Sequence, residues 1–346
     1  LLGPATDALR ALNDSPLQKT VGSAFAAWTA TGEVETDVAL HLNLSDLSVA
    51  PWVDVTTRWR DVNLLIMPGN LPVKSVNGDF SYSTFNGFSS SALAGELWGE
   101  TVIVTLEQRH RDKSRRYDPA TSALNVGLAT SVSMSDVHRW LQLEPSGFVT
   151  GQASVDIGIA LVGRQPPVLT VDSDLKGVGL DLPQPWKKRK EEPSSLHLEM
   201  PMAGASRLLS LNLGDELKFK LDIVNGRVRG GGLGINAAPP DVREDVLRVV
   251  GHTVLLQGDE WLGFIRKYFS ASKPVLSKRD ESPGGLTEVL SKKRSARDAY
   301  YPEPALLGPP LAILIDALKT DTLVIMDQPL RDATLSLALN GDQWRV

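Results

Sequence analysis

The chain has no cysteine, so neither a disulfide framework nor a thiolate metal site can form. It has no run of the roughly 18–20 apolar residues that a membrane-spanning helix needs. It has no excess of positive charge: 36 Lys and Arg face 41 Asp and Glu, a formal net charge of −5. That argues against a nucleic-acid binder, whose surface must replace the counterions of phosphate. No Gly-x-Ser-x-Gly elbow is present, which removes that class of hydrolase nucleophile. Residues 230–234 read GGGLG, but no Gly-Lys-Ser/Thr follows, so they make no phosphate loop; a glycine bulge in a curved sheet is the expectation. The five histidines (His41, His110, His138, His197, His252) show no metal-ligand spacing, and no metal or other cofactor is expected. The opening LLGPATDALR has no initiator Met, basic n-region or cleavage site, so the reading is of an internal piece with any anchor upstream.

What the chain does have is alternation. Thr31–Leu42 reads TGEVETDVALHL, and 119 residues later Thr150–Leu161 reads TGQASVDIGIAL. Both begin Thr-Gly and both place Asp seventh (Asp37, Asp156). In the first, Val34, Thr36, Val38, Leu40 and Leu42 share one face; in the second, Ala153, Val155, Ile157, Ile159 and Leu161 do. Period-two patterning predicts long strands with one apolar face, and repetition predicts duplicated β units. Two such sheets could close into a sandwich, or one curved sheet could line a groove. Twelve residues at about 3.3 Å each span roughly 40 Å, which is long for a sandwich strand and favours the groove.

The remaining pattern is consistent with this. Helices are expected at Ala5–Leu12, over Leu17–Trp28 after the cap Ser15-Pro16, at 133–141 behind the cap Ser133, and after Asp259. Trp28 and Trp140 each precede a twin. Alternating strands are expected around Val53–Trp59, Val76–Tyr82, 91–98, 101–108, 123–132, 169–183, 196–200 and 209–213. Leu217, Phe219, Leu221 and Ile223 form another apolar face, and strands resume at Ala312–Asp316, Thr322–Ile325 and Leu335–Leu339. Leu175-Lys-Gly177 is expected in the place that Val76-Asn-Gly78 holds in the first unit. The units are expected at 1–132 and 133–269, followed by a flexible polar insertion at 270–304 and continuing groove strands at 305–346.

Charged candidates are few. RHRDKSRR (109–116) and KKRK (187–190) read as solvated loops, the second with the capacity to meet anionic headgroups. Asp172, Asp174 and Asp181 lie close together, and paired carboxylates can serve glycoside hydrolysis, but no partner or cleft accompanies them. No catalytic residue is assigned.

Three segments carry a family resemblance: ALNDSPL (11–17) with the following VGSAFAAWTATGEVETDVAL, VNGDFSYSTFNGFSSSALAGELWGETV (76–102), and DLKGVGLDLPQPWKK (174–188). On these the chain resembles the AsmA-like superfamily and, within it, the YhdP branch, over most of residues 11–265. The resemblance implies a mainly β fold: an elongated, strongly curved antiparallel sheet, a repeating taco-like β-groove with short helices at the unit edges. It implies the periplasmic portion of an inner-membrane-anchored bridge, similar to the chorein-type lipid transfer proteins, moving phospholipid between the inner and outer membranes. The implied partners are phospholipid acyl chains, both membranes and unidentified envelope proteins, not nucleic acid. Carried over, Val38, Leu40, Leu42, Val155, Ile157, Ile159, Leu161, Leu217, Phe219, Leu221 and Ile223 become candidate acyl-chain contacts. The alternatives are a closed-core structural or adhesive β-repeat and a carbohydrate-active enzyme using Asp172 or Asp174.

Overall fold

The computed structural model describes residues 1–14, 28–42, 44–45, 52–67, 71–83, 86–90, 93–109, 123–140, 147–162, 165–202, 204, 206–224, 227–269, 311–340 and 343–345. The expected helix at 17–28, the basic run beyond Arg109 and the insertion at 270–304 lie outside them, apart from Trp28.

Among the described residues nineteen strands form one sheet. In chain order they are β1 (Leu2–Pro4), β2 (Thr29–His41), β3 (Trp52–Ile66), β4 (Leu71–Ser83), β5 (Gly87–Ser90), β6 (Leu93–Leu97), β7 (Glu100–Arg109), β8 (Ala123–Ser133) and β9 (Val149–Val162). Then follow β10 (Val168–Ser173), β11 (Val178–Leu180), β12 (Leu196–Pro201), β13 (Ser206–Leu213), β14 (Leu217–Val224), β15 (Arg227–Ile235), β16 (Val246–Gln257), β17 (Ala312–Ile325), β18 (Gln328–Asn340) and β19 (Gln343–Arg345). Among the described residues three helices accompany them: α1 (Ala5–Asp14), α2 (Met134–Trp140) and α3 (Gly258–Phe269).

Strands pair with their sequence neighbours, so the sheet is laid down as a continuous ribbon. Two rungs are split: β5 and β6 share the space between β4 and β7, and β10 and β11 both pair with β9. The ribbon does not break at residue 132, because β8 pairs with β9 along its whole length.

Pairing is antiparallel except at β15–β16 and β16–β17, which are parallel. The sheet is thus mostly antiparallel, as expected, and the two parallel pairs have a topological reason. A parallel neighbour requires the chain to return to its starting end. Between β15 and β16 it returns over the outer face of β15, where a Cβ at Gly230, Gly232 or Gly234 would run into the carbonyls of Arg243, Pro240 and Ala237. GGGLG is therefore a bed for a crossing backbone. The expected glycine bulge is not within the run: residues 230–234 pair in unbroken register with β14, and the register shift falls just before them, at Arg229.

Long strands are bent at residues whose backbone turns left-handed in mid-strand. Gly32 (φ 109°) faces the left-handed Asp61 of β3, and the register shifts between them. Gly151 (φ 107°) faces Gly177, where its Cβ would strike the carbonyl. The twin glycines thus do the same job. The structure also corrects the internal alignment: the partner of Gly151 is Gly177-Val178 and that of Gly32 is Asp61-Val62, so Leu175-Lys-Gly177 does not stand where Val76-Asn-Gly78 does. A third crease was not anticipated. Gly251 (φ 129°) packs on the backbone of Ile235, and Ala317 (φ 53°) bends β17, uniting the two strands expected at 312–316 and 322–325.

Bulges bend a strand and increase its twist, so each crease divides the sheet into a short arm and a long arm. The short arms form closed cores beneath helices. Ala30, Leu64, Ile66, Val73 and Leu97 are buried with Ala5 of α1, and Thr6 Oγ1 donates to the Ala30 carbonyl at 2.8 Å. Leu175 and Val178 pack with Met134 of α2, whose N-terminus is capped by Ser133 Oγ, accepting from Asp136 N at 3.1 Å. Leu256, Leu318 and Leu323 pack with Trp261 of α3.

Asp222 fastens the bulge between β14 and β15. Ser206 Oγ donates to its Oδ1 at 2.6 Å, and Arg229 Nη2 and Nε donate to its Oδ2 at 2.6 and 3.0 Å. The serine bond first, then the Arg229 bond and charge, hold the carboxyl below the usual aspartate range against the opposing effect of burial. A depressed folded pKa stabilises above the unfolded value, about 3.9, and that contribution is lost as pH falls through the folded value. Asp222→Asn should cost about 1–2 kcal/mol in urea unfolding at neutral pH. It should also lose less stability than the native chain between about pH 5 and pH 2. Equal acid sensitivity in the two proteins would refute this role.

Candidate functional site

Above the creases the long arms align their apolar residues in register. Leu93 of β6 lies opposite Val104 of β7, which lies opposite Leu128 of β8, then Ile157 of β9 and Val171 of β10. The row continues through Leu198, Leu211, Phe219, Leu233, Val249, Ile315 and Leu337 on β12 to β18. Every residue in this row is apolar. At about 4.8 Å per strand it forms a lane roughly 50 Å long, running across the strands. The other face is wet: Asp156, Asp172, His197, Asn212 and Lys218 are opposite one another in turn.

Exposure changes along the lane. At β8 and β9 it is more enclosed: Leu128 is buried, and Ile157 is half-buried between the buried Val155 and Ile159. From β10 onward Val171, Leu198, Leu211, Phe219, Leu233, Ile315 and Leu337 are half-buried, with Val249 buried among them. The strands are hydrogen-bonded into a single continuous sheet, and from β10 onward its lane keeps this partial exposure.

The eleven candidate contacts separate accordingly. Ile157, Phe219 and Leu221 are half-buried, and Val155, Ile159, Leu161, Leu217 and Ile223 are buried. Val38, Leu40 and Leu42 are exposed, at 53%, 56% and 56%. They lie on the same face as Val55 and Val53 of β3, but β1 covers β2 only at Glu33–Glu35. The structure therefore joins Ile157 and Phe219 in one lane and leaves the distal half of the first twin as an open apolar margin. An aromatic group lines the face between them: Phe80 and Tyr82 have ring centroids 5.5 and 4.9 Å from that of Phe88. The alternation places Phe80 and Tyr82 on one face with Val76; Phe88 lies on a four-residue strand, too short a period to be read.

The charged candidates are committed elsewhere. Asp172 Oδ1 is 2.7 Å from His197 Nδ1, which relieves its position opposite Asp156. Asp174 Oδ1 accepts from Lys176 N at 2.9 Å in a turn, and Asp181 pairs with Lys187 at 3.0 Å. Among the described residues no three His, Asp or Glu side chains gather as a metal site. His41 is exposed, its ring 4.9 Å from Trp52.

KKRK is not uniformly solvated. Lys188 is buried, and its Nζ donates to the carbonyls of Val178 (2.7 Å), Leu175 (2.8 Å) and Arg189 (3.3 Å). Desolvation pushes its pKa down, opposed by the charges of Glu192, Asp174 and Glu191. The ammonium adds three donors at the bend around Gly177, where the Leu175 and Arg189 carbonyls also accept from Val178 N at 3.1 Å and Glu192 N at 3.2 Å. The neighbouring Lys187, Arg189 and Lys190 remain exposed.

No helix among the described residues is long and apolar enough to cross a membrane. A family model described as YhdP protein matches residues 1–346. No curated protein and no solved structure matches the chain.

Two contrasts test this geometry. Ile159→Asp should unfold the chain, costing more than about 4 kcal/mol, because it buries an unpaired charge. Leu40→Asp should stay within about 1 kcal/mol of the native chain, because its site is open; comparable urea midpoints for the two variants would contradict the covered-to-open gradient. Lys188→Met should cost about 2 kcal/mol by removing three charge-assisted hydrogen bonds to carbonyls, and Lys190→Met less than about 0.5 kcal/mol. If both changes proved equally mild, the buried ammonium would have no structural role.

Proposed function

The chain belongs to the YhdP family along its whole length, and from that premise we propose that it is a segment of a bridge-like lipid-transport protein. In this reading the lane shields phospholipid acyl chains while headgroups remain toward solvent. The protein would carry phospholipid across the periplasm between the inner and outer membranes, and it would not be an enzyme. The observation that carries the reading is the uninterrupted apolar row from Leu93 to Leu337, half-open from β10 onward.

The physics suits conduction. Apolar contact is worth about 25 cal/mol per Å² and has no direction, so an acyl chain moving along the lane exchanges equivalent contacts. A row crossing many strands presents the same surface at each rung and no single tight site. The binding energy that a storage protein would concentrate is spread over the whole length.

A photoreactive residue at Phe219 or Ile157 should capture phospholipid in cells, and one at Asp156, on the opposite face, should not. Phe219→Asp should abolish restoration of the outer-membrane permeability barrier without unfolding the chain, since Phe219 is half-buried. Capture at Asp156 in preference to the lane residues would sink the proposal.

A further inference from the structure

The lane has a margin with its own chemistry. Trp186 and Trp261 pack against the cluster that contains Phe219, Leu233 and Val249. Their rings meet edge-on at 5.3 Å, and Trp261 meets Phe264 in the same way at 5.5 Å. Phe264 in turn lines a cavity of about 520 Å³, whose other walls carry Asp181, Lys187, Glu260 and Lys267. Both indole N–H groups are committed, Trp261 to the Gln184 carbonyl at 3.1 Å and Trp186 to Glu216 at 3.2 Å. These bonds tie the 183–187 loop to α3 and to the turn after β13.

Moving outward from the lane, the order is aliphatic, then indole, then charge. That is the order of a bilayer interface, where amphipathic rings separate acyl chains from headgroups. The charge on the rim decides which headgroup fits. Two ammonium and two carboxylate groups sum to zero, so a purely anionic ligand would meet as much repulsion as attraction. A ligand bearing both signs can satisfy both pairs. The existing Lys187–Asp181 pair is solvent-exposed, and such a pair is held weakly enough to be exchanged for a ligand.

Resting on the lipid reading above, we propose that this cavity takes the headgroup of a zwitterionic phospholipid. Lys187 and Lys267 face its phosphate, and Asp181 and Glu260 face its ammonium. The volume lies within the range of small-molecule sites, and the indoles place the attached chains at the edge of the lane.

The probes are dihexanoyl phosphatidylethanolamine and dihexanoyl phosphatidylglycerol, used as monomers and titrated into the 346-residue chain by calorimetry. They share chains and phosphate and differ in the ammonium. The native chain should bind the ethanolamine lipid about fivefold more tightly, as two exposed charge contacts imply. Asp181→Asn with Glu260→Gln should bring the ratio to about one. Lys187→Gln with Lys267→Gln should weaken both lipids several-fold. All four positions are exposed, so far-UV circular dichroism should be unchanged. Equal affinities in the native chain, or a preference that survives the carboxylate changes, overturn the headgroup site and leave the lane reading standing. Binding of neither lipid overturns both.

Discussion

A strand that turns left-handed at one residue cannot stay straight, and this fold depends on that backbone constraint. At Gly32, Gly151 and Gly251 the strand lies so close to its neighbour that a side chain would meet the carbonyl of Asp61, Gly177 or Ile235. The facing strand bends with it: Asp61, Leu175 and Ala317 take positive φ although they are not glycine. Such conformations persist only where surrounding packing enforces them. Here the enforcement comes from the arms, which are held in register on both sides of each bend.

The creases separate stability from function. Below them, short arms and helices enclose small cores in which Val62, Val73, Val76, Leu97, Val102 and Val178 are essentially inaccessible. Above them, apolar side chains are lined up and, from β10 onward, left half-open. A flat sheet of this composition would either expose its greasy face entirely or bury it under a second sheet. A creased sheet can bury one end of every strand and keep the other available. Lys188 and Asp222 belong to the same solution, since each satisfies polar backbone or side-chain groups at a place where the ladder is interrupted.

Much of this was legible in the residues. Period-two alternation identified the apolar faces of β2, β3, β4, β9 and β14, because a pleated strand places alternate side chains on opposite faces whatever surrounds it. The repeated Thr-Gly located the first two creases without revealing what they were. Gly251 escaped notice because it follows Val instead of Thr and precedes a helix, so it has the surroundings of neither twin. KKRK was misread because a charge run is normally solvated, and the burial of one lysine depends on where three carbonyls end up in space.

The sequence by itself determined that the protein is mainly β and which side chains share a face. These are local matters, set by strand period and residue chemistry. Only the tertiary structure decided that the faces join into one lane, since joining depends on register between strands far apart in the chain, such as Ile157 beside Val171 and Val249 beside Ile315. It also decided where the lane is covered and where it is open. Alternation is identical for a residue inside a core and one lining a groove, and only the curvature imposed at the creases tells Ile159 from Leu40.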